Sequence, residues 1–214
     1  PAGMRRRTDT NRGLAQVSRL RVLDEVLACP GLALAELSER TGLHENTLRD
    51  HVRVLEAEGF IIGEVEHRGT RGRPRVLFSP VSPEHMSLVA RRRIEDARRH
   101  GDLLRQVLPK STAPSDLHPD AIHQIDALYE HLDEVGLEPD VDEHSLTVGL
   151  VPCPFHDMLN ENRSVACRVH EGLIRSVLAQ ADGPVELDRL IPFTTPHSCH
   201  AHLRLREQKP QLTE

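Results

Sequence analysis

The sequence predicts an α+β chain: an N-terminal, mostly helical domain, a connecting helix, and a C-terminal α/β domain. Three observations predict it. Charge is divided, with 18 basic against 14 acidic residues in 1–100 and 9 against 19 in 101–214. After Gly59 the apolar period changes from helical to alternating. Between Pro109 and Pro119 the chain is rich in Pro, Ser and Thr, as expected of a linker. The expected boundaries are 12–81, 82–108 and 120–206. A basic half joined to an acidic one suits a nucleic-acid-binding module attached to a part that does not touch the nucleic acid.

The totals narrow the classes. With no Trp and one Tyr, the cores must be aliphatic. No run of about 18 apolar residues exists, so no membrane span is expected. Residues 1–7 lack an apolar segment that could act as a secretory signal. A cytoplasmic chain with reduced thiols is expected, which favours metal binding over disulfides.

In the basic half, Leu14, Val17, Leu20, Leu23 and Leu27 recur at helical spacing, and Cys29-Pro30-Gly31 stops that helix. A short helix follows from Leu34 and ends at Gly42, a residue suited to the left-handed turn. A second helix is expected over 45–58. Its Leu48, Val52 and Leu55 face inward, leaving His44, Asn46, Thr47, Arg49, Asp50 and Arg53 on other faces. This is a helix-turn-helix pattern. Two strands then flank a Gly/Arg tip holding Arg68, Arg71, Arg73 and Arg75, the form of a wing. Those arginines would neutralise phosphates and make binding to double-stranded DNA salt-sensitive. His44, Asn46, Thr47, Arg49 and Arg53 would stand near bases or phosphates, with the wing arginines on the flanking backbone.

Here the chain resembles a known group. Leu34 to Phe78, with "Leu-Ser-Glu-Arg-Thr-Gly-Leu" and "Thr-Leu-Arg-Asp-His-Val-Arg-Val-Leu-Glu-Ala-Glu-Gly-Phe-Ile", is similar to the winged helix of ArsR/MarR-type bacterial regulators. "Arg-Gly-Arg-Pro" resembles the wing tip of one subgroup.

Ser82-Pro-Glu is expected to start a connecting helix reaching Val107. Its thin apolar face (Met86, Val89, Ala90, Ile94, Ala97, Leu104) could pair with its copy in a homodimer or simply be solvated. Another helix is expected over 120–135, carrying Ile122, Ile125, Leu128, Tyr129 and Leu132, with His123 and His131 at the surface.

In the acidic half, Ser145–Val151 reads as a strand ended by Pro152, so Cys153 lies just past a strand end. A short helix is expected over 155–160 and a longer one over 165–181. Cys167 would then lie in a first turn, where the helix dipole favours a thiolate, and His170 near the middle of the apolar face. Strands are expected over 185–191 and 198–206. In the second, Cys199, Ala201, Leu203 and Leu205 face one way and His200 and His202 the other. Three cysteines on a strand end, a helix start and an inward strand face could converge on one buried point. Their C-x13-C-x31-C spacing fits no standard zinc finger, yet Cys153-x2-His156 and Cys167-x2-His170 keep zinc open. No nucleophile, base and orienting group stand out as a set, so an enzyme is not expected.

"Cys153-Pro-Phe-His", "Val-Ala-Cys167-Arg-Val-His-Glu-Gly-Leu-Ile" and "Pro-His-Ser-Cys199" resemble the sensor domain of SufR-type iron–sulfur regulators. That resemblance implies a homodimeric repressor with a [4Fe-4S] cluster on Cys153, Cys167 and Cys199 of each protomer. A pseudo-palindromic operator is the matching expectation. Cubane clusters commonly take four protein ligands, and this domain offers three cysteines. His170 is the first choice for the fourth, then His197 and His156. A [2Fe-2S] cluster and zinc remain the alternative cofactors. In the zinc case the C-terminal half would answer to a small molecule.

Overall fold

The structure is a computed structural model describing residues 14, 16–66, 74–107, 116–135, 137–151, 159–195 and 198–206. In order it forms α1 (Val17–Ala28), β1 (Leu32–Ala33), α2 (Leu34–Thr41), α3 (Glu45–Ala57), β2 (Ile61–Glu66) and β3 (Arg75–Pro80). Then come α4 (Leu88–Val107), α5 (Pro119–Glu134), β4 (Glu138–Asp142), β5 (Thr147–Val151), α6 (Leu159–Gln180), β6 (Val185–Thr195) and β7 (Ser198–Leu205). The α+β architecture is the one expected, with a winged helix-turn-helix domain at the N-terminal end.

That domain follows from local chemistry. Glu36 Oε2 accepts from the Ala33 amide at 2.7 Å and steadies the start of α2. Gly42, at φ 69°, ends it in the left-handed region. The His44 ring caps α3 by accepting from the Asn46 amide at 3.2 Å. Leu48, Val52 and Leu55 are buried against α1, as their spacing requires. The small sheet has the order β1-β3-β2. β1 was not expected. Its two residues pair with Phe78 and Leu77, and a strand that short carries no alternation to detect.

The C-terminal sheet is antiparallel, in the order β4-β5-β7-β6. One face packs on α5 and α6 through Val148, Leu150, Leu187, Cys199, Ala201 and Leu203, with Ile174 and Leu178 of α6 opposite. The edge strands β4 and β6 carry Pro139 and Pro192, where a missing N–H donor is tolerated. β4 was not foreseen, because Glu-Pro-Asp-Val-Asp is composed to blunt an edge rather than to fill a core.

Other expectations need correction. The connecting helix starts at Leu88, not Ser82. Ser82 and His85 close a turn, and Ser87 Oγ accepts from the Ala90 amide at 3.1 Å as the cap. Ala90, Ile94 and Ala97 are buried, whereas Val89 and Leu104 lie exposed with Leu88, Leu103 and Val107. α6 begins at Leu159, six residues before the expected start, and residues 159–160 belong to it rather than to a separate short helix. His131 is buried, not at the surface, and Tyr129 and Leu205 are about half exposed.

The two halves share a core. Ala166, Val169 and Leu173 of α6 are buried in one cluster with Leu20, Leu23, Leu37, Leu48 and Leu55 of the winged helix. Gly172 lets the helices approach closely: a Cβ there would stand 2.9 Å from Leu27 Cδ1. The Arg168 guanidinium reaches both carboxylate oxygens of Asp24, at 3.0 and 2.6 Å. A third cluster joins α4, α5 and α6 through Ile94, Ala97, Ala127, Val177 and Ala181.

Candidate nucleic-acid interface and thiol site

α3 presents Asn46, Thr47, Arg49, Asp50 and Arg53 to solvent, with His44 exposed at its cap. Its arginines have acidic neighbours on their own helix. Arg49 donates to Glu45 Oε2 and to Asn46 Oδ1, each at 2.7 Å, and Arg53 lies 3.7 Å from Asp50. A groove of about 490 Å³ runs between α3 and the wing strand, with Arg49, Arg53 and Arg75 on its walls. Arg75 opens β3 and pairs with Glu36 at 3.1 Å. The Ala33 amide, ahead of Arg75, holds the Glu36 carboxyl below the usual carboxylate range. The structure therefore brings three of the expected DNA-contacting arginines to one groove. Arg68, Arg71 and Arg73 lie outside the described residues.

His51, on the inner face of α3, was not among the expected inward residues. It is 5% exposed, and burial followed by the charge of Arg19 lowers its pKa. It follows Leu48 by three residues and precedes Leu55 by four, so the helical period could have found it.

The thiol site is described in part. Cys153, His156 and His197 lie outside the described residues. Cys167 is half-buried on α6, eight residues past its first residue, so it does not lie in a first turn and the helix-dipole argument for its thiolate fails. Cys199 is buried in β7, opposite Leu150 of β5. His200 is exposed and His202 half-buried. Among the described residues, no group of three or more His, Cys, Asp or Glu side chains could hold a metal ion.

The topology puts the two described cysteines of this half, Cys167 and Cys199, toward the same end of the sheet. β5 runs toward that end and stops at Val151, two residues before Cys153. β7 begins there at Ser198. Arg175 Nη1 of α6 donates to the Leu187 carbonyl at 2.8 Å, and Leu187 pairs with Leu203. From that level Cys199 is four strand residues away, about 13 Å. Cys167 is eight helical residues away in the same direction, about 12 Å. The donor set is soft, and its chemistry fits an iron–sulfur cluster or zinc.

His170 is 8% exposed, and burial lowers its pKa to about 4. His131 of α5 is near enough to feel it. Burial, then the charge of Arg93, then His170, bring His131 down to about 3. The His131 ring meets Phe60 edge-on, with centroids 6.2 Å apart.

Residues 17–62 match the winged helix-turn-helix DNA-binding family. No curated protein and no solved structure matches the chain. The chain thus carries a winged helix-turn-helix DNA-binding domain of the kind found in transcription factors. No helix among the described residues is long and apolar enough to cross a membrane.

Proposed function

We propose that this chain is a cytoplasmic, homodimeric transcriptional repressor of the SufR type, whose hold on a pseudo-palindromic operator depends on an iron–sulfur cluster. Cys153, Cys167 and Cys199 would be the protein ligands, and the preferred cluster is [4Fe-4S]. For the fourth position His170, buried on α6 three residues after Cys167, is the first candidate, followed by His197 and His156. When bound, the cluster would supply a cross-link whose presence depends on iron and on oxidants.

The observation that carries the reading is α6. It bears Cys167, and through the adjacent Ala166 and through Val169 it enters the core of the DNA-binding domain. A pull on the thiol end of α6 is therefore felt by α1, which α6 grips through Asp24–Arg168 and Leu27–Gly172. α1 in turn backs α3, whose Asn46, Thr47, Arg49 and Arg53 would meet the major groove with His44 at the helix cap. Arg68, Arg71, Arg73 and Arg75 would hold the flanking phosphates. The exposed Leu88, Leu103 and Val107 on α4 support a homodimer built on that helix. A ligand shifts such a balance only by its differential affinity for two states, so tighter DNA binding is expected with the cluster in place.

The test is anaerobic purification with iron and sulfide analysis and a visible spectrum, followed by gel shifts of loaded and apo protein. Iron, sulfide and absorbance near about 400 nm are expected from the family resemblance and from ligation by thiolates. A colourless protein holding zinc would replace the cluster with a structural metal. Equal DNA affinity of loaded and apo protein would remove the switch.

A further inference from the structure

We infer that Arg93 is a positioning residue for DNA recognition, tying the exit of α3 to α5 of the C-terminal domain. The inference rests on the DNA-binding reading of the winged helix and deepens it. The Arg93 side chain is 13% exposed although it lies on the connecting helix. Its Nε stands 2.8 Å from Glu134 Oε2, in the last turn of α5. Its Nη2 donates to the Glu58 carbonyl at 2.8 Å, and Glu58 is the C-terminal cap of α3. Its guanidinium carbon lies 5.8 Å from the centre of the Phe60 ring. Phe60 in turn meets His131, which sits beside His170 of α6. One side chain therefore gathers α3, α5 and the first residue beyond the α3 turn.

Each contact has a physical reason. The last carbonyls of a helix lack intrahelical donors, and a cation there also meets the negative end of the helix dipole. The planar fork of arginine serves a carbonyl and a carboxylate at once, whereas lysine offers a single point charge. A guanidinium over an aromatic face at the observed distance is attracted by the ring's negative face. Gly59, at φ 73°, makes the turn that carries Phe60 under Arg93. A shift of α5 must then move the end of α3, and so tilt the face that reads DNA.

The test is hydrogen exchange on the full chain for the native protein, Arg93→Lys, Arg93→Met, Glu134→Gln, the Arg93→Met/Glu134→Gln pair, and Arg91→Met as a control of equal charge on the same helix. In Arg93→Met, amides 54–60 should exchange about tenfold faster, as expected on losing one charge-assisted hydrogen bond. Glu134→Gln should quicken the same amides although residue 134 lies on α5, and should add little to Arg93→Met. Arg93→Lys should fall between, and Arg91→Met should match the native chain. Native exchange at 54–60 in Glu134→Gln, or full additivity in the pair, overturns the link. The same proteins are then titrated with a duplex selected from a random library, where Arg93→Met and Glu134→Gln should bind more weakly than Arg91→Met. Equal binding overturns the role in recognition. A native chain that binds no duplex overturns the DNA-binding reading itself, a failure told apart from the other by the exchange data.

Discussion

Two buried histidines make the folded state sensitive to mild acid. His131 and His170 are enclosed between α5, α6 and the winged helix, with pKa values of about 3 and about 4. Burial is the leading cause for both, and the Arg93 guanidinium adds to it at His131. Unfolded, each ring returns to a pKa of about 6.5. Between about pH 4 and about pH 6.5 the unfolded chain thus holds more protons, so stability falls as the pH falls through that window. From about pH 7.5 to about pH 5.5 each ring costs about 1.4 kcal/mol, or about 2.7 kcal/mol together. His51 shifts the same way and adds to the loss. The carboxylates of Asp102, Asp142 and Glu186 are held low by their partners, so the stability they give is lost at lower pH. Urea unfolding of metal-free protein at the two pH values measures the difference. His131→Leu should remove about half of the two-ring dependence, whatever it does to the absolute value. Unfolding free energies that match within about 0.5 kcal/mol at the two pH values would refute the burial of these rings in the neutral form.

Other outcomes follow from single contacts. Gln124 is 1% exposed; it donates to the carbonyls of Leu178 and Val185 and accepts from the Val185 amide at 2.6 Å. Gln124→Leu keeps the volume but strands these groups, so thermal or urea unfolding should show a loss of about 2–4 kcal/mol. Glu45→Gln removes the acidic partner of Arg49 from the exposed face of α3. DNA affinity by fluorescence anisotropy should rise, and an unchanged or weaker affinity would mean that this face does not meet phosphates. Replacing Arg71 and Arg73 together by Ala should lower the slope of log affinity against log salt by about 2, with little change in thermal stability. Cys199→Ser in anaerobically purified protein should abolish the visible absorbance expected of a cluster, and retained colour would exclude this thiol as a ligand.

The parts most legible in the sequence were those where one period dominates. α2, α3 and the alternation of β7 announce themselves because a single face is apolar and a glycine marks each helical stop. Start signals were less reliable. Ser82-Pro-Glu reads as the start of the connecting helix, whereas the structure starts it at Leu88 with Ser87 as the cap. The start of α6 was hidden because its first turns, Asn160 to Arg163, carry no apolar repeat. Buried polar groups were the least legible. His51, Gln124 and His131 lie on inward faces where the helical period puts them, yet their chemistry argues for the surface until partners from distant segments are known. The sequence gathers cysteines and histidines in the acidic half, and the described residues include only Cys167 and Cys199 of the expected cysteine ligands. The relative level of Cys167 and Cys199 needed the register of β7 against β6 and the Arg175–Leu187 hydrogen bond.

The division of charge suggests a nucleic-acid-binding half joined through a linker to a half that does not touch the nucleic acid. The packing adds a shared core to that connection. α6 begins in the acidic half, yet Ala166, Val169 and Leu173 complete the core beneath α1, α2 and α3. Its other side, at Ile174 and Leu178, completes the core of the C-terminal sheet. One rigid helix therefore belongs to both cores, and neither domain buries its apolar surface fully without it. Interiors packed this closely do not deform continuously. A displacement at the thiol end of α6 must either be refused or be passed to α1 as a rigid-body shift. Arg93 offers a second route, joining α5 to the end of α3. With α1 held along its side and α3 held at its exit, the recognition helix is constrained at two points by the half of the chain that carries the cysteines. Removal of the C-terminal half should then cost the winged helix stability as well as regulation. Hydrogen exchange of α1 in the truncated chain would measure that loss, and native protection there would show that the shared core is dispensable.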